Sequence, residues 1–189
     1  LLQSSAASDV YKRQPFGDTS LDLDLIATKK NLNIDTGDIL NNFLGTNSIK
    51  NGGFSSLPLL QGLSDDRIKV KIDGMDIISS CANHMNPPLS YTSPANINNI
   101  DVLAGLSSVS QGGDNIGGVI NIKSNVIKFS GNTFMKSSGK LQAFFKSNND
   151  AAGLNLSLSQ FNQDTALKYF GSFVEANNSF AGSSFKNAG

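Results

Sequence analysis

The last third of the sequence is built from long segments in which apolar residues alternate with small, uncharged polar residues. In the clearest segment, Leu154, Leu156 and Leu158 alternate with asparagine and serine. The segments KLQAFFKSN and TALKYFGSFVEANN flank it, and Asn-Asn-Asp and Asn-Gln-Asp turn signals separate the three. An alternation of period two gives a β-strand one apolar and one polar face. Segments of about ten residues with an uncharged second face are typical of strands in a transmembrane β-barrel.

Aromatic residues in these segments fit the same interpretation, because barrels carry aromatic residues on their lipid-facing surface and at its borders. We predict six lipid-facing or girdle residues: Phe144, Phe145, Phe161, Tyr169, Phe170 and Phe173. The alternation alone is equally typical of a soluble β-sandwich. Three strands cannot close a barrel, so the barrel interpretation requires further strands.

Residues 21–124 have a different pattern, which predicts short helices as well as short strands. LDLDL at residues 21–25 predicts a half-buried strand. The stretch DTGDILNNFLGT predicts a short amphipathic helix that begins at Asp35 or Thr36 and ends at Gly45. Its predicted apolar face consists of Ile39, Leu40, Phe43 and Leu44.

The following segments predict a small sheet. NGGFSSLPLLQGL and DDRIKVKIDGMDI are predicted to be neighbouring strands, the second folded into a hairpin at Asp73-Gly74. NNIDVLAG and GGVINIKS predict two more strands, with a helical turn in LSSVSQGG between them, whereas Pro87 and Pro88 stop any helix before them. Residues 21–124 are therefore predicted to form an α+β domain.

Charge and composition exclude several classes of function. Lysine plus arginine and aspartate plus glutamate each number 15, so the net charge is zero and nothing suggests a nucleic-acid partner. No apolar run reaches the ~18 residues of a transmembrane helix. The glycines near residues 112–118 lack the GxxxxGK[ST] pattern of a phosphate-binding loop, so a nucleotide site is not predicted.

The N-terminal residues are of a different kind. Residues 4–14, SSAASDVYKRQ, resemble the translation of a transposase adapter oligonucleotide used in preparing sequencing libraries. We therefore expect residues 1–14 to be an artefact without ordered structure. Residues 15–125 are expected to form the α+β domain, and residues 126–189 the start of an incomplete barrel, so that the chain is a fragment.

An α+β domain followed directly by barrel-like strands resembles the TonB-dependent outer-membrane receptors. Three stretches carry the resemblance: DILNNFLGTNSIKNGG, SLPLLQGLSDDRIKVKIDGMDI and IDVLAGLSSVSQGGDNIGGVINI. They are similar to the opening helix of the family's plug domain, to its segment ending in D-G, and to its closing motif. The chain departs from the family pattern at Gln61, Asp101, Leu106 and Gln111.

The resemblance implies a plug domain inside a barrel of about 22 strands in the outer membrane of a Gram-negative cell. It also implies active import powered by the TonB complex of the inner membrane, with outer-membrane lipid around the barrel. The implied function is that of a transporter and not of an enzyme, with no organic cofactor.

The pentapeptide CANHM, residues 81–85, holds the single cysteine and the single histidine of the chain. With the asparagine, two prolines and tyrosine that follow, it resembles the copper-receptor branch of the family. The resemblance implies that Cys81 and Met85 are plug-side copper ligands. Thiolate and thioether sulfur favour Cu(I), and an i, i+4 pair on one helical turn would direct both sulfurs to one ion. His84 is predicted to lie beside the metal path, and Met75 is considered as a further sulfur donor.

Several alternatives remain open from the sequence. Cys81 and Met85 would be ordinary packing residues in a receptor for an iron-siderophore or another organic ligand. A catalytic Cys81–His84 pair is a further reading, although no residue in a known motif would orient the histidine. A soluble metal-binding β module is the alternative from a different class.

Overall fold

The computed structural model describes residues 18–20, 35–51, 55–105, 109–113, 115–127, 129–147 and 150–177. The predicted strand at residues 21–25 lies outside them. The described residues form one α-helix, α1 (Thr36–Leu40), and four short 3-10 helices. They also form ten strands: β1 (Asp18–Ser20), β2 (Thr46–Lys50), β3 (Ser56–Leu60), β4 (Ile68–Ile72), β5 (Met75–Ile77), β6 (Ile97–Ala104), β7 (Gly118–Ser124), β8 (Lys136–Lys146), β9 (Ala151–Phe161) and β10 (Ala166–Glu175).

The first seven strands build the predicted α+β domain around one mixed sheet. Its order is β1-β6-β7-β4-β5, in which β4 and β7 are parallel and the other neighbours are antiparallel. The Asp73-Gly74 hairpin is confirmed, because both residues have positive φ, as this type of tight turn requires. The strands predicted in NNIDVLAG and GGVINIKS and the helical turn before Gly112 are also confirmed.

Buried aliphatic side chains hold this sheet against α1 and the 3-10 helix Pro88–Tyr91. Ile68 and Val70 face the core, whereas Lys69 and Lys71, which alternate with them, face away, as the alternation predicts. The buried cluster consists of Ile39, Leu40, Phe43, Leu60, Ile68, Val70, Leu89, Ile97, Ile100, Val102, Ile120 and Ile122.

Two predictions within this domain are wrong. Leu44 is exposed, since α1 already ends at Leu40 and the chain turns away before a second helical turn forms. The segment around residues 56–60 does not pair with β4. It forms a separate two-stranded sheet with β2, a strand that the alternation does not predict because its residues are mostly exposed.

Side-chain hydrogen bonds fix the start of α1. The Asp35 side chain accepts a hydrogen bond from the Gly37 amide at 3.0 Å, which identifies Asp35 as the N-cap. Gly45 has the predicted left-handed conformation, with φ of +78°, but the prediction that it ends the helix is wrong, since α1 ends at Leu40. Thr36 donates to the Thr92 carbonyl at 2.7 Å and so ties the helix to the segment that follows the 3-10 helix Pro88–Tyr91.

Close backbone approach explains the paired glycines before β7. A Cβ on Gly118 would lie 2.1 Å from the Leu103 carbonyl oxygen, and Gly118 has φ of +127°. A Cβ on Gly117 would lie 2.9 Å from the Arg67 carbonyl oxygen. Only glycine allows β7 to enter the sheet between β6 and β4 at this point.

The last three strands form an antiparallel meander in the order β10-β9-β8, with the turns where the sequence predicts them. Directly paired residues of antiparallel strands point to the same side. The registers therefore define an apolar face, which contains Leu141, Phe145, Leu154, Leu156, Leu158, Leu167, Tyr169 and Phe173. They also define a polar face, which contains Ser138, Gln142, Asn155, Ser157, Ser159, Lys168 and Ser172.

The register divides the six aromatic residues predicted to face lipid. Phe145, Tyr169 and Phe173 are on the apolar face and are exposed. The prediction is wrong for the other three, which are on the polar face: Phe144, Phe161 and Phe170. Successive residues of a strand point to opposite sides, so Phe144 and Phe145 cannot share a face.

The polar face of the meander lies toward the α+β domain. Lys168 on β10 donates hydrogen bonds to Asn96 Oδ1 and to the Asn125 carbonyl, both at 2.7 Å. A cleft of about 340 Å³ lies between residues 89–93 and the β10 residues Phe170, Ser172 and Val174. None of the helices in the described ranges is both long enough and apolar enough to cross a membrane.

Candidate functional site

Cys81 and Met85 lie in the segment that connects β5 to β6. We call residues 79–91 the sulfur loop. The His84 amide donates to the Cys81 carbonyl at 2.9 Å, and His84 has φ of +51°, so these residues form a tight turn. The predicted helical turn carrying both sulfurs is therefore wrong. The reason is local: Pro87 disfavours helical backbone at Asn86, and the left-handed His84 ends the turn before an i, i+4 bond forms.

The two sulfur side chains are accessible in the described part of the chain. Met85 is 61% exposed, and Cys81 is partly exposed with a free thiol. A large apolar side chain with this much exposure contributes little to a core. Neither residue belongs to the buried cluster, so the packing role considered from the sequence does not describe them.

Hydroxyl groups at the base of the sulfur loop hold its two arms together. Ser79 Oγ lies 3.0 Å from both the Cys81 and the Asn86 carbonyl oxygens. Tyr91 Oη accepts from the Ser80 amide at 3.2 Å and lies 2.8 Å from Ser80 Oγ and 3.4 Å from the Asn86 carbonyl. The chain that enters the loop is thus joined to the chain that leaves it.

The β2–β3 hairpin binds the outer part of the loop. Asn51 Nδ2 donates to the His84 carbonyl at 3.0 Å, and Ser55 Oγ donates to the Met85 carbonyl at 3.4 Å. The main-chain carbonyls of residues 81, 84, 85 and 86 therefore accept hydrogen bonds, whereas the side chains of Cys81 and Met85 take no part in this network. This arrangement fixes the backbone of the turn and leaves the two sulfur atoms free to contact a ligand.

The imidazole of His84 faces acidic residues of the loop before β4. Its Nε2 lies 3.7 Å from Asp66 Oδ1, and the side chain is 14% exposed. A cleft of about 180 Å³ is lined by His84, Asp66, Asp76 and Lys69 together with apolar side chains such as Ile77. His84 is thus a partly buried residue of the sulfur loop, and its side chain lines this cleft.

Met75 occupies a different place from the other predicted site residues. It begins β5 directly after the Asp73-Gly74 turn, whereas the sulfur loop leaves from the other end of β5, after Ile77. Three residues of extended strand span about 10 Å, so Met75 and the sulfur loop lie at opposite ends of the hairpin.

Asp76, the middle residue of β5, lies between two lysines. Its carboxylate is 3.3 Å from Lys69 Nζ and 3.5 Å from Lys71 Nζ. Loss of solvent raises the pKa of Asp76. The hydrogen bond and the charge of Lys69, together with those of Lys71, lower the pKa by more than this. The net effect is a pKa below the ordinary value of 3.8.

Sequence reasoning missed the residues that hold the loop. Asn51 is 33 positions away from His84, and Ser55 is 30 away from Met85, so no local pattern connects them. Ser79 and Ser80, which directly precede Cys81, could have been predicted, because serine side chains often bond nearby backbone groups. Within the described ranges, no three histidine, cysteine, aspartate or glutamate side chains gather as a metal site. The chemistry that this loop offers is therefore that of two exposed sulfurs.

Comparison with known proteins identifies the family. The family model described as "TonB-dependent Receptor Plug Domain" matches residues 12–119, more than half of the chain. No curated protein sequence matches the chain. Similar solved structures include the copper transporter OprC, with a TM-score of 0.69 and 23% identity over 85% of this chain and 24% of that one.

Two further structures have the same fold. The FrpB iron transporter from Neisseria meningitidis (F3-3 variant) has a TM-score of 0.66 and 19% identity over 81% of this chain and 23% of that one. The siderophore receptor PirA from Pseudomonas aeruginosa has a TM-score of 0.57 and 18% identity over 88% of this chain and 30% of that one. At these identities the likeness concerns the fold alone.

The present chain spans 23–30% of the length of these structures. The α+β domain, its match to the plug model and the meander that follows agree with one another. The chain belongs to the TonB-dependent receptors, and it consists of their plug domain followed by the first antiparallel strands of the β-barrel.

Proposed function

We propose that this chain is part of an outer-membrane receptor that actively imports copper, and that Cys81 and Met85 are plug-side ligands for Cu(I). The observation that carries the proposal is the sulfur loop itself. Its backbone is fixed by hydrogen bonds from Ser79, Tyr91 and Asn51, while its two sulfur side chains are accessible. Soft thiolate and thioether donors select Cu(I) over harder cations.

Two sulfurs are an incomplete ligand set for a retained metal ion. The remaining ligands would come from parts of the receptor that follow this chain. His84 lies in the same loop with its Nε2 3.7 Å from the exposed carboxylate of Asp66, which suits a pair of residues along the path of an incoming cation. Met75 lies at the other end of β5 and has no part in the proposed site.

Release into the periplasm would depend on the TonB complex of the inner membrane. In this proposal, copper is captured at the sulfur loop, and mechanical work by TonB on the plug then opens a path past the polar face of the barrel. The receptor would lie in the outer membrane, with the apolar face of β8–β10 against lipid. No covalent chemistry is required, so the proposal includes no catalytic step.

A second candidate is import of an iron-siderophore or another organic ligand. It is supported by the likeness in fold to FrpB, an iron transporter, and to PirA, a siderophore receptor. In that case the two sulfurs would have no ligand role. A soluble metal-binding β module does not fit a chain that belongs to this receptor family.

The test is copper accumulation by cells that express the complete receptor with Cys81→Ser and Met85→Leu. We expect uptake to fall to the level of cells without the receptor. Met75→Leu is a matched control, since Met75 and Met85 are both 61% exposed, and it should leave uptake unchanged. Unchanged copper uptake in the double variant, with growth on a ferric siderophore dependent on the receptor, would favour the second candidate.

A further inference from the structure

We propose that Tyr91 and Ser79 are positioning residues, whose hydroxyl groups hold the sulfur loop in the form that binds metal. This inference rests on the proposed function, since it concerns the same sulfur ligands. The structural feature is a hydroxyl clamp, which we define as the side chains of Ser79 and Tyr91 together with the groups they bind at Ser80, Cys81 and Asn86.

Tyr91 connects both arms of the loop through one oxygen atom. Its hydroxyl accepts the Ser80 amide hydrogen and lies within 3.4 Å of both Ser80 Oγ and the Asn86 carbonyl. A phenol has one proton to donate. Ser80 Oγ at 2.8 Å and the Asn86 carbonyl at 3.4 Å share this proton as acceptors. The Tyr91 oxygen thus links Ser80 on one arm to Asn86 on the other.

Ser79 also connects the two arms of the sulfur loop through one hydroxyl group. Its hydroxyl accepts from the Cys81 amide at 3.4 Å and donates toward the Cys81 and Asn86 carbonyls, both at 3.0 Å. Serine has one proton as well, so the two carbonyls share it. The backbone of Cys81 on one arm and that of Asn86, next to Met85, on the other are thus bound to the same atom.

The clamp is attached to the folded core through Tyr91. The 3-10 helix Pro88–Tyr91 includes Leu89, which is fully buried in the core cluster. The Thr92 carbonyl, directly after Tyr91, accepts a hydrogen bond from Thr36 at the start of α1. The packed domain therefore holds the backbone on both sides of Tyr91, from which its ring reaches back to Ser80 and Asn86.

Fixing the loop in advance favours metal binding. A free segment of five residues between two unlinked arms would have to lose backbone freedom when both sulfurs bind one ion. A clamp that already holds residues 80, 81 and 86 removes part of that cost before the ion arrives, and so increases affinity without touching the metal. Tyr91 and Ser79 would therefore act through Cys81 and Met85.

The test uses the complete receptor in detergent, with Cu(I) supplied from a competing chelator. Tyr91→Phe removes the hydroxyl and keeps the ring, and Tyr91 is half exposed, so the fold should persist. We expect Tyr91→Phe and Ser79→Ala each to weaken Cu(I) binding by about five-fold, the size of one net hydrogen bond. Matched controls are Tyr169→Phe on the apolar face and Ser90→Ala, whose hydroxyl donates to the Pro87 carbonyl, outside the hydroxyl clamp. Both variants should bind Cu(I) like the parent.

Amide hydrogen exchange of the metal-free receptor gives a second readout. Tyr91→Phe should speed exchange at residues 80–86 several-fold and leave the strands of the five-stranded sheet unchanged. In a Cys81→Ser and Met85→Leu background, Tyr91→Phe should cause no further loss of residual Cu(I) binding, because the clamp acts through the sulfurs.

Different outcomes overturn different claims. If the parent binds Cu(I), Cys81→Ser abolishes binding and Tyr91→Phe changes neither affinity nor exchange, the positioning role is wrong while the proposed function stands. An equal loss from Tyr91→Phe with and without the sulfurs also overturns the positioning role. If the parent receptor does not bind Cu(I), the proposed function and this inference fall together.

Discussion

Lys168 on β10 donates a hydrogen bond to Asn96 Oδ1 at 2.7 Å, between residues 72 positions apart in the sequence. The same ammonium group donates to the Asn125 carbonyl, and the Asn125 amide in turn donates to the Asn96 carbonyl at 2.8 Å. Asn96 directly precedes β6, and Asn125 directly follows β7. One lysine of the meander thus binds the end of two neighbouring strands in the plug sheet.

We expect Lys168→Met to loosen this contact between plug and meander. Two hydrogen bonds from a charged donor would be lost, which corresponds to about 2 kcal/mol in the free energy of plug unfolding. Urea unfolding of the detergent-solubilised receptor measures this change. Lys140→Met is the control, because Lys140 is an exposed lysine on the same polar face. Equal effects of the two substitutions would contradict a specific role for Lys168.

Gly118→Ala is expected to destabilise the plug strongly. The new methyl group would lie 2.1 Å from the Leu103 carbonyl oxygen, and alanine would have to adopt φ of +127°. We expect a loss of at least about 3 kcal/mol, from backbone strain together with separation of β6 and β7. Gly113→Ala, where nothing lies within 4 Å, should change stability by less than about 0.5 kcal/mol. Comparison of the urea midpoints of the two variants tests the prediction.

Acid should selectively weaken the β4–β5 edge of the plug sheet. The pKa of Asp76 in the folded protein is below 3.8 because Lys69 and Lys71 favour the carboxylate. The stability contributed by this group is therefore fully present above its unfolded pKa of 3.8 and is lost as the pH falls through the lower folded value. Asp76→Asn should be less stable than the parent at pH 7, and the difference should shrink progressively as the pH falls below 3.8. A stability difference that does not depend on pH would refute this assignment.

Adjacent residues of β9 should respond in opposite ways to arginine. Leu156 pairs with Leu141 on the apolar face, whereas Ser157 pairs with Lys140 on the polar face. If the apolar face meets lipid, Leu156→Arg costs roughly 2–4 kcal/mol near the bilayer midplane, and Ser157→Arg costs little. The amount of heat-modifiable barrel in the outer membrane measures both variants. Equal amounts would indicate that the apolar face does not meet lipid.

Signals that act over a few residues predicted their elements correctly. Asp35 was one of two predicted N-caps, and the Asp73-Gly74 turn joins β4 and β5 as expected. The alternation in β4 correctly predicted its buried face, and the spacing of the Asn-rich turns correctly predicted the three strands of the meander. Each of these features depends on φ, ψ or side-chain period within a single segment.

Predictions that required knowledge of a partner segment were wrong or incomplete. The helix around Leu44 was extended too far, and β3 was assigned to the wrong neighbour. The turn at Cys81–His84 replaced a predicted helical turn. The residues that hold this turn, Asn51 and Ser55, come from a hairpin about thirty positions away.

The sequence by itself determined that a short mixed domain precedes long two-faced strands, and that two soft sulfurs stand four residues apart. These properties depend on residue type and local period, which are written along the chain. Tertiary structure decided which face of each strand meets the plug, which hydroxyls close the sulfur loop and where Lys168 binds. Those outcomes depend on distances between segments far apart in sequence, and packing and hydrogen bonding fix such distances only when the whole domain folds.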